Sequence, residues 1–285
     1  MFISYLINVL TLVAISGILA LSFDFAAGRT GLINLGQMAI AGVGAYTATI
    51  LMMRAGFPFL VSVVVACLLC GLLGFLLSLP ARKVRGDYFA LLTLAFGFIF
   101  VTIAYNLGIT RGALGIPGIP RPVVLDDPFL FFIFAVLCLF GAYLVLDRVA
   151  SSPFGRVQGA VRDDETAALA LGKSVGRVKV TTLTLSCVVA GLSGALIAVF
   201  IRFIDPASFE LGDLVRLLAA VIVGGVASRY GAVLGTVVVI LVFEPFRFLG
   251  VPPEFIGVIR QGIWSLLLLI IIIVRPRGIL GKIDL

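Results

Sequence analysis

Gly172-Lys173-Ser174 is the stretch whose residue types suggest phosphate chemistry. A P-loop requires G-x-x-x-x-G-K-[ST] between a strand and a helix, because the first glycine lets the backbone fold around the phosphates. In this chain that first position is Ala167, and the preceding run "RDDETAALA" has no β-branched residue apart from Thr166 and reads as helix. Its three acids, Asp163, Asp164 and Glu165, would repel phosphates. The tripeptide is therefore read as the end of a helix and not as a nucleotide site.

Other reactive constellations are scarce. The chain contains no histidine, and nothing in it resembles a Ser/His/Asp arrangement or a pair of catalytic carboxylates. Cys67, Cys70, Cys138 and Cys187 all fall in apolar runs. Cys67-x-x-Cys70 has no second pair near it, so the cysteines are read as small apolar residues on helices. Asp24 closes the first apolar stretch, and Glu244 lies near the end of another, with Arg247 one helical turn on. That spacing suits a local ion pair. Arg260, near the end of the last stretch, is placed to snorkel. Carriers driven by protons need buried titratable groups, and few are present. The expectation is a chain with no catalytic residue and no metal site.

The composition names the solvent. Of 285 residues, 61% are hydrophobic and 12% charged, with a mean hydropathy of +1.24. A soluble domain carries roughly 25% charged residues, so a bilayer is the medium in which this chain folds. The net charge of +7 does not point to nucleic acid, because the basic residues punctuate apolar runs instead of clustering on a polar domain. The first residues, "MFISYLINVLTLVAISGILALSF", lack a basic leader and a cleavage site and are read as a retained span.

A helix needs about 20 apolar residues to cross a bilayer. Candidate spans are 3–22, 35–53, 59–79, 88–107, 129–147, 180–201, 214–228, 231–248 and 256–274. Span 214–228 is short, and 24–45 is glycine-rich enough to hold a broken or re-entrant helix. The expected fold is all-α, a polytopic membrane protein of eight to ten crossings forming one permease domain over 1–285. "GLINLGQMAIAGVGAY" and "LLAAVIVGGVASRYGAVLG" look like two glycine-interrupted helices, one in each half. Such breaks mark transport pathways, where freed backbone groups meet a polar solute. They also suit close packing, through pairs such as Gly224 with Ser228 and Gly231 with Gly235.

Orientation follows from lysine and arginine. With loop 148–179 in the cytoplasm, 14 of the 21 basic residues fall on that side, together with the C-terminus. Arg54, Arg111, Arg121, Arg202, Arg216, Arg247 and Arg260 fall on the other. Within the cytoplasmic loop a helix is expected from Asp163 to Leu171, with acids in its first turn against the helix dipole and Gly172 as its terminating glycine. Its alanines give it a slim surface that can enter a cleft on a partner.

This loop also carries a resemblance. "RDDETAALALGKSVGRVKVTTLTLSCVVAGLSGAL" resembles the E-x-A-A-x-x-x-G coupling region of bacterial ABC importer permeases, specifically the branched-chain amino acid permease family and its LivM-type subunit. "GLINLGQMAIAGVGAYTAT", "KVRGDYFALLTLAFGFIFVTI", "GALGIPGIP", "IDPASFELGDLVRLLAAVIVGGVASRYGAVLG" and "RPRGILG" extend the likeness along nearly the whole chain. It implies a permease subunit in the bacterial cytoplasmic (inner) membrane. Such a subunit pairs with a second, related permease, two cytoplasmic ATPase subunits and an extracytoplasmic solute-binding protein, with ATP and magnesium held by the ATPases and no cofactor by this chain. Asp164, Glu165, Ala167, Ala168 and Gly172 are then the coupling element. The translocation pathway is placed at Gly36, Gln37, Gly42, Gly44 and Tyr46 of the glycine-broken segment and at Thr93, each of which serves helix packing equally well. "ITRGALGIPGIP" departs from the family's usual T-G-G-x-x-G-L-x-G-I-P, with Arg111 in place of a small residue. The solute therefore stays open between branched-chain amino acids, other amino acids, urea and short amides. A self-sufficient carrier or channel is the alternative of a different class.

Overall fold

A computed structural model describes residues 2–82, 84, 86–228, 230–243, 253–275 and 278–281. Eleven α-helices lie among them: α1 (Phe2–Thr30), α2 (Gln37–Arg54), α3 (Phe59–Ala81), α4 (Gly86–Asn106), α5 (Pro128–Ser151), α6 (Pro153–Asp163), α7 (Glu165–Ala170), α8 (Val175–Ile201), α9 (Leu211–Gly224), α10 (Gly231–Phe243) and α11 (Pro253–Val274). Among the described residues, each of the nine apolar stretches of the sequence overlaps a helix. Two two-residue strands, β1 (Ile116–Pro117) and β2 (Phe203–Ile204), pair antiparallel.

Five helices, α1, α3, α4, α5 and α8, are long and apolar enough to cross a membrane. Their apolar character is uniform around the axis, so burial and not sequence pattern sorts them. About two thirds of the spanning windows of α1 and α8 are buried, at 67% and 61%, whereas α3, α4 and α5 reach 33%, 17% and 22%. α1 and α8 are thus the central pair, and α3, α4 and α5 turn residues such as Leu68, Phe98 and Leu137 outward, where lipid is the matching solvent.

The centre closes through small residues. A Cβ on Gly44 of α2 would lie 2.5 Å from the Gly191 carbonyl of α8, and one on Gly194 of α8 would lie 1.8 Å from the Ala41 carbonyl of α2. Backbones can meet only where side chains are absent, which is how helices pack in lipid. The cysteines serve the same packing: Cys70 of α3 lies against Gly191, and Cys187 of α8 against Gly74.

Two sequence expectations are corrected. α1 continues through Asp24 to Thr30, well past residue 22, and the break in the glycine-rich segment is confined to 31–36, where Gly31 turns the chain at φ +70°. Stretch 214–228 is not a span of its own. α9 starts at Leu211 and ends at Gly224, and its 14 residues extend about 21 Å at 1.5 Å per residue, against a hydrocarbon core of about 30 Å. Gly225 (φ +101°) and Ala227 (φ +60°) then reverse the chain into α10. The two helices run antiparallel in close contact, since a Cβ on Gly224 would meet the Gly231 carbonyl at 1.9 Å and one on Gly235 the Ala220 carbonyl at 1.8 Å. α11 covers the pair, packing Trp264 on Ala219, Ala220, Val223 and Val239.

The basic loops meet at one end of the bundle. Arg162 Nη1 donates to the Gly28 carbonyl near the end of α1. Arg82, after α3, lies beside Gly176 at the start of α8. At the other end, Arg121 Nη2 donates to the Phe200 carbonyl at 2.7 Å, and its guanidinium stacks 4.6 Å over the Phe131 ring. Burial and the nearby positive charge of Arg202 lower the pKa of Arg121. Glu244, Arg247, Arg229, Lys83, Arg85, Arg277, Lys282 and the side chain of Arg260 lie outside the described residues.

Candidate functional site

The expected single helix from Asp163 to Leu171 is two helices. Asp163 closes α6, where it pairs with Arg162, and Asp164 breaks the run in an extended conformation (φ −156°, ψ 108°). The Asp164 carboxylate then caps α7, accepting from the amides of Thr166 at 2.8 Å and Ala167 at 3.0 Å. A side chain bonded to the first free amides supports a helix too short to stand by itself. At the other end, Gly172 takes φ +73°, its amide donates to Leu169, and the Lys173 amide donates to Ala168. This pairing is a Schellman termination, with glycine where the left-handed conformation is needed. Lys173 and Ser174 therefore follow a helix, not a strand.

α7 has an inner and an outer face. Ala168 is buried against Val161, Val175 and Val178. Thr166, Ala167, Leu169, Ala170 and Leu171 are exposed, with Leu169 at 55% and Leu171 at 74%. Two leucines standing beside alanines on a short capped helix form an apolar knob at the basic end of the bundle.

The knob is fastened to the spanning helices by groups that the sequence reading missed. Lys179 of α8, assigned there to a solvated loop, is 3% exposed. Its ammonium donates to Glu165 Oε1 at 2.8 Å and to the Ala81 carbonyl at 3.1 Å, joining α7, α8 and the end of α3. Gln158 of α6 donates to Thr182 of α8 at 2.7 Å, both fully buried. With Arg162 on Gly28, α6 and α7 are tied to α1, α3 and α8. Polarity inside the apolar stretch "VKVTTLTLS" was the signal that could have found Lys179 and Thr182.

The pathway residues fall into two groups. Gly36, Gln37 and Thr93 converge on the α1–α2 break. Gln37 Nε2 donates to the hydroxyls of Ser22 (2.8 Å) and Ser186 (3.0 Å), and its Oε1 accepts from Asn34 (2.7 Å). Thr93 Oγ1 accepts from the Leu35 amide at 3.0 Å, and a Cβ on Gly36 would lie 2.6 Å from the Thr93 carbonyl. The hydrogen-bonding groups of Gln37 are thus satisfied within the protein, and they join α1, α2 and α8 while Thr93 brings in α4. Gly42, Gly44 and Tyr46 lie farther along α2. Gly42 faces the Phe100 ring, Gly44 faces Gly191, and the Tyr46 ring packs 6.3 Å from both Phe100 and Phe209. The Tyr46 hydroxyl is buried with no hydrogen-bond partner among the described residues. A cavity of about 200 Å³ lies next to this aromatic group, between Met38, Gly97, Phe209 and Leu214.

The second glycine break is held by α1 as well. The Asp24 carboxylate accepts from the Ala227 amide at 2.7 Å, and the Ser228 hydroxyl accepts from the Gly231 amide at 3.2 Å.

Comparison with known proteins adds relatives along the same length. The family profile described as "Branched-chain amino acid transport system / permease component" matches residues 5–274. The high-affinity branched-chain amino acid transport system permease protein LivM of Escherichia coli is 30% identical over 96% of this chain and 69% of its own length, and the Salmonella typhimurium protein of the same description matches equally. A probable branched-chain amino acid transport permease protein LivM from Methanocaldococcus jannaschii is 25% identical over 77% of this chain and 68% of its own. No solved structure matches.

Proposed function

Because this chain belongs to the family of branched-chain amino acid transport permease components, we propose that it is the membrane-spanning subunit of an ATP-driven importer for branched-chain or related amino acids. One observation carries the mechanism: an apolar knob, α7, projects at one end, bonded through Glu165 to Lys179 of α8, which also holds the end of α3, while the preceding α6 is bonded to α1 through Arg162. A surface helix free to swing could not pass a displacement inward. One bonded to Lys179 of α8, and continuous with α6 that Arg162 ties to α1, passes it to the helices that bury the centre.

The chain performs no hydrolysis itself. ATP and magnesium are bound by partner ATPases, one of which receives Leu169, Leu171 and the slim Ala167 and Ala170 in a cleft. Asp164 and Gly172 set the two ends of the knob, Glu165 fastens it and Ala168 seats it. A second permease subunit completes the pathway, and an extracytoplasmic binding protein delivers the solute at the end where β1, β2 and Arg121 close the bundle. The α7 end and the C-terminus face the cytoplasm, since the loops that meet there are basic, and the membrane is the bacterial inner membrane. Tyr46, with its unpartnered hydroxyl, is the pathway residue free to meet a polar solute. Gln37, Thr93 and the glycines shape the helix that carries it.

The test is purification of the complex from its own membranes in a mild detergent, with ATPase activity and solute uptake measured on the same preparation. Wild-type complex couples the two. Leu169→Glu with Leu171→Glu is expected to lose the ATPase subunits from the complex, and retention of both with normal uptake contradicts the docking assignment.

A further inference from the structure

A second cavity, of about 250 Å³, lies between α1, α2, α8, β2 and α9. At about 30 Å³ per water, it has room for about eight waters, or for a molecule of eight or nine heavy atoms. Its walls differ in character. Leu12, Ile15 and Ile197 give an apolar side, while Asp213 and Arg216 of α9, with the hydroxyl-bearing Ser16, give a charged one.

The charged pair is out of place for a surface bridge. Asp213 Oδ1 and Arg216 Nη2 are 3.1 Å apart and partly buried, with 18% and 25% of their side chains exposed, in a bundle whose fully buried polar groups are mostly uncharged among the described residues. Charges taken out of water inside a membrane protein are costly and mark sites of function. Charge counting places Arg216 on the non-cytoplasmic side, within stretch 214–228. It stands at the junction of this cavity and a smaller one lined by Leu217, Thr236 and Ile240. Its guanidinium is also held 5.3 Å from the Trp264 ring. One Arg216–Asp213 contact leaves further guanidinium N–H groups and the second carboxylate oxygen available.

We propose that this cavity is a binding site for a zwitterion with an apolar side chain, Arg216 pairing with its carboxylate, Asp213 with its ammonium, and Leu12, Ile15 and Ile197 enclosing the hydrocarbon. Arginine's planar fork matches a carboxylate, and a ligand carrying both charges leaves neither protein charge uncompensated. Uncharged solutes such as urea or a short amide would leave the pair with no partner but itself. The inference rests on the importer reading and adds to it the residues that recognise the solute.

The experiment uses the complete importer in proteoliposomes with its binding protein and labelled leucine. ATP-dependent leucine uptake by the wild type tests the importer reading separately, because its absence would remove that reading whatever the cavity does. Arg216→Gln, Asp213→Asn and the double variant are then compared with it. A pair that merely stabilises α9 would recover in the double variant, which strands no charge. A zwitterion site stays impaired by about tenfold or more in all three. Arg216→Lys retains part of the uptake. Ile197→Phe, which narrows the apolar side and leaves the charges in place, lowers leucine uptake relative to alanine uptake and holds even if the charge variants fail to assemble. Leucine uptake within about twofold of wild type in the double variant, or an unchanged leucine-to-alanine ratio in Ile197→Phe, would overturn the proposal.

Discussion

Lys179 holds one half-exposed carboxylate and one backbone carbonyl from a position that is itself 97% buried. The geometry separates stability from coupling. Replacing Lys179 with methionine removes a buried charge, keeps much of its volume and leaves Glu165 with access to water, so the change in stability is expected to stay within about 1 kcal/mol. The mechanical joint between α7 and α3 is gone, and uptake per ATP hydrolysed should fall. Glu165→Ala does the opposite, leaving the ammonium buried on the Ala81 carbonyl alone at a cost of about 1–3 kcal/mol. Combining it with Lys179→Met should recover most of that loss in thermal unfolding of the complex. If the two losses simply add, the residues do not act as a pair.

Gly172 illustrates a demand of conformation without one of space. Nothing lies within 4 Å of where its Cβ would be, yet its φ is +73°. Gly172→Ala should weaken the α7 termination by about 1–2 kcal/mol, and Gly172→Asn by less, because asparagine tolerates the left-handed region. Hydrogen exchange at the Gly172 and Lys173 amides reads this directly, as faster exchange in the alanine variant than in the asparagine one.

At the scale of elements, α2 is held between α3 and α8 by contacts too close for a side chain. Gly194→Val would push a branched side chain into the Ala41 carbonyl and is expected to cost more than about 3 kcal/mol, seen as loss of the folded complex. The start of the same helix depends on polar groups. Gln37→Leu leaves Ser22, Ser186 and Asn34 without their shared partner and should destabilise by about 1–3 kcal/mol. Uptake should fall mainly through reduced amounts of folded protein. A full yield of folded complex with abolished uptake would instead place Gln37 in contact with the solute.

These elements show where reading the chain succeeds. Runs of apolar residues located nine of the eleven described helices, because length and hydropathy suffice for spans in lipid. The glycines of "AAVIVGGVA" marked an interrupted helix, but the apolar runs, which continue past them, could not place the end of α9 at Gly224, where Gly225 at φ +101° turns the chain. Nor could they show that α6 and α7 are separate, which turns on the side chain of Asp164 capping forward instead of continuing backward. Lys179 counts as a loop charge and Arg216 only as a charge on the other side, because a one-dimensional rule sorts charges by side and not by partner. The burial of Lys179 and the partial burial of Arg216 depend on distant partners, Ala81 for one and Trp264 for the other.

Across the whole molecule, α1 connects the proposed functions. It meets α6 through Gly28, the α9–α10 turn through Asp24, the α1–α2 break through Ser22, and the second cavity through Ser16. Both glycine-rich breaks, one in each half of the chain, are tied to this single helix by buried hydrogen bonds. Under the proposed function, a movement of the knob passed to α1 would reach both breaks together, as alternating access between two sides of a membrane needs.

The measurement that bears most directly on this account is solute accumulation in proteoliposomes containing either this chain alone or the complete complex with ATPases, second permease and binding protein. The account predicts ATP-dependent accumulation of leucine by the complete complex, and none by the chain alone under a proton or sodium gradient. Gradient-driven accumulation by the chain alone would contradict it and make α7 an ordinary loop helix on a self-sufficient carrier.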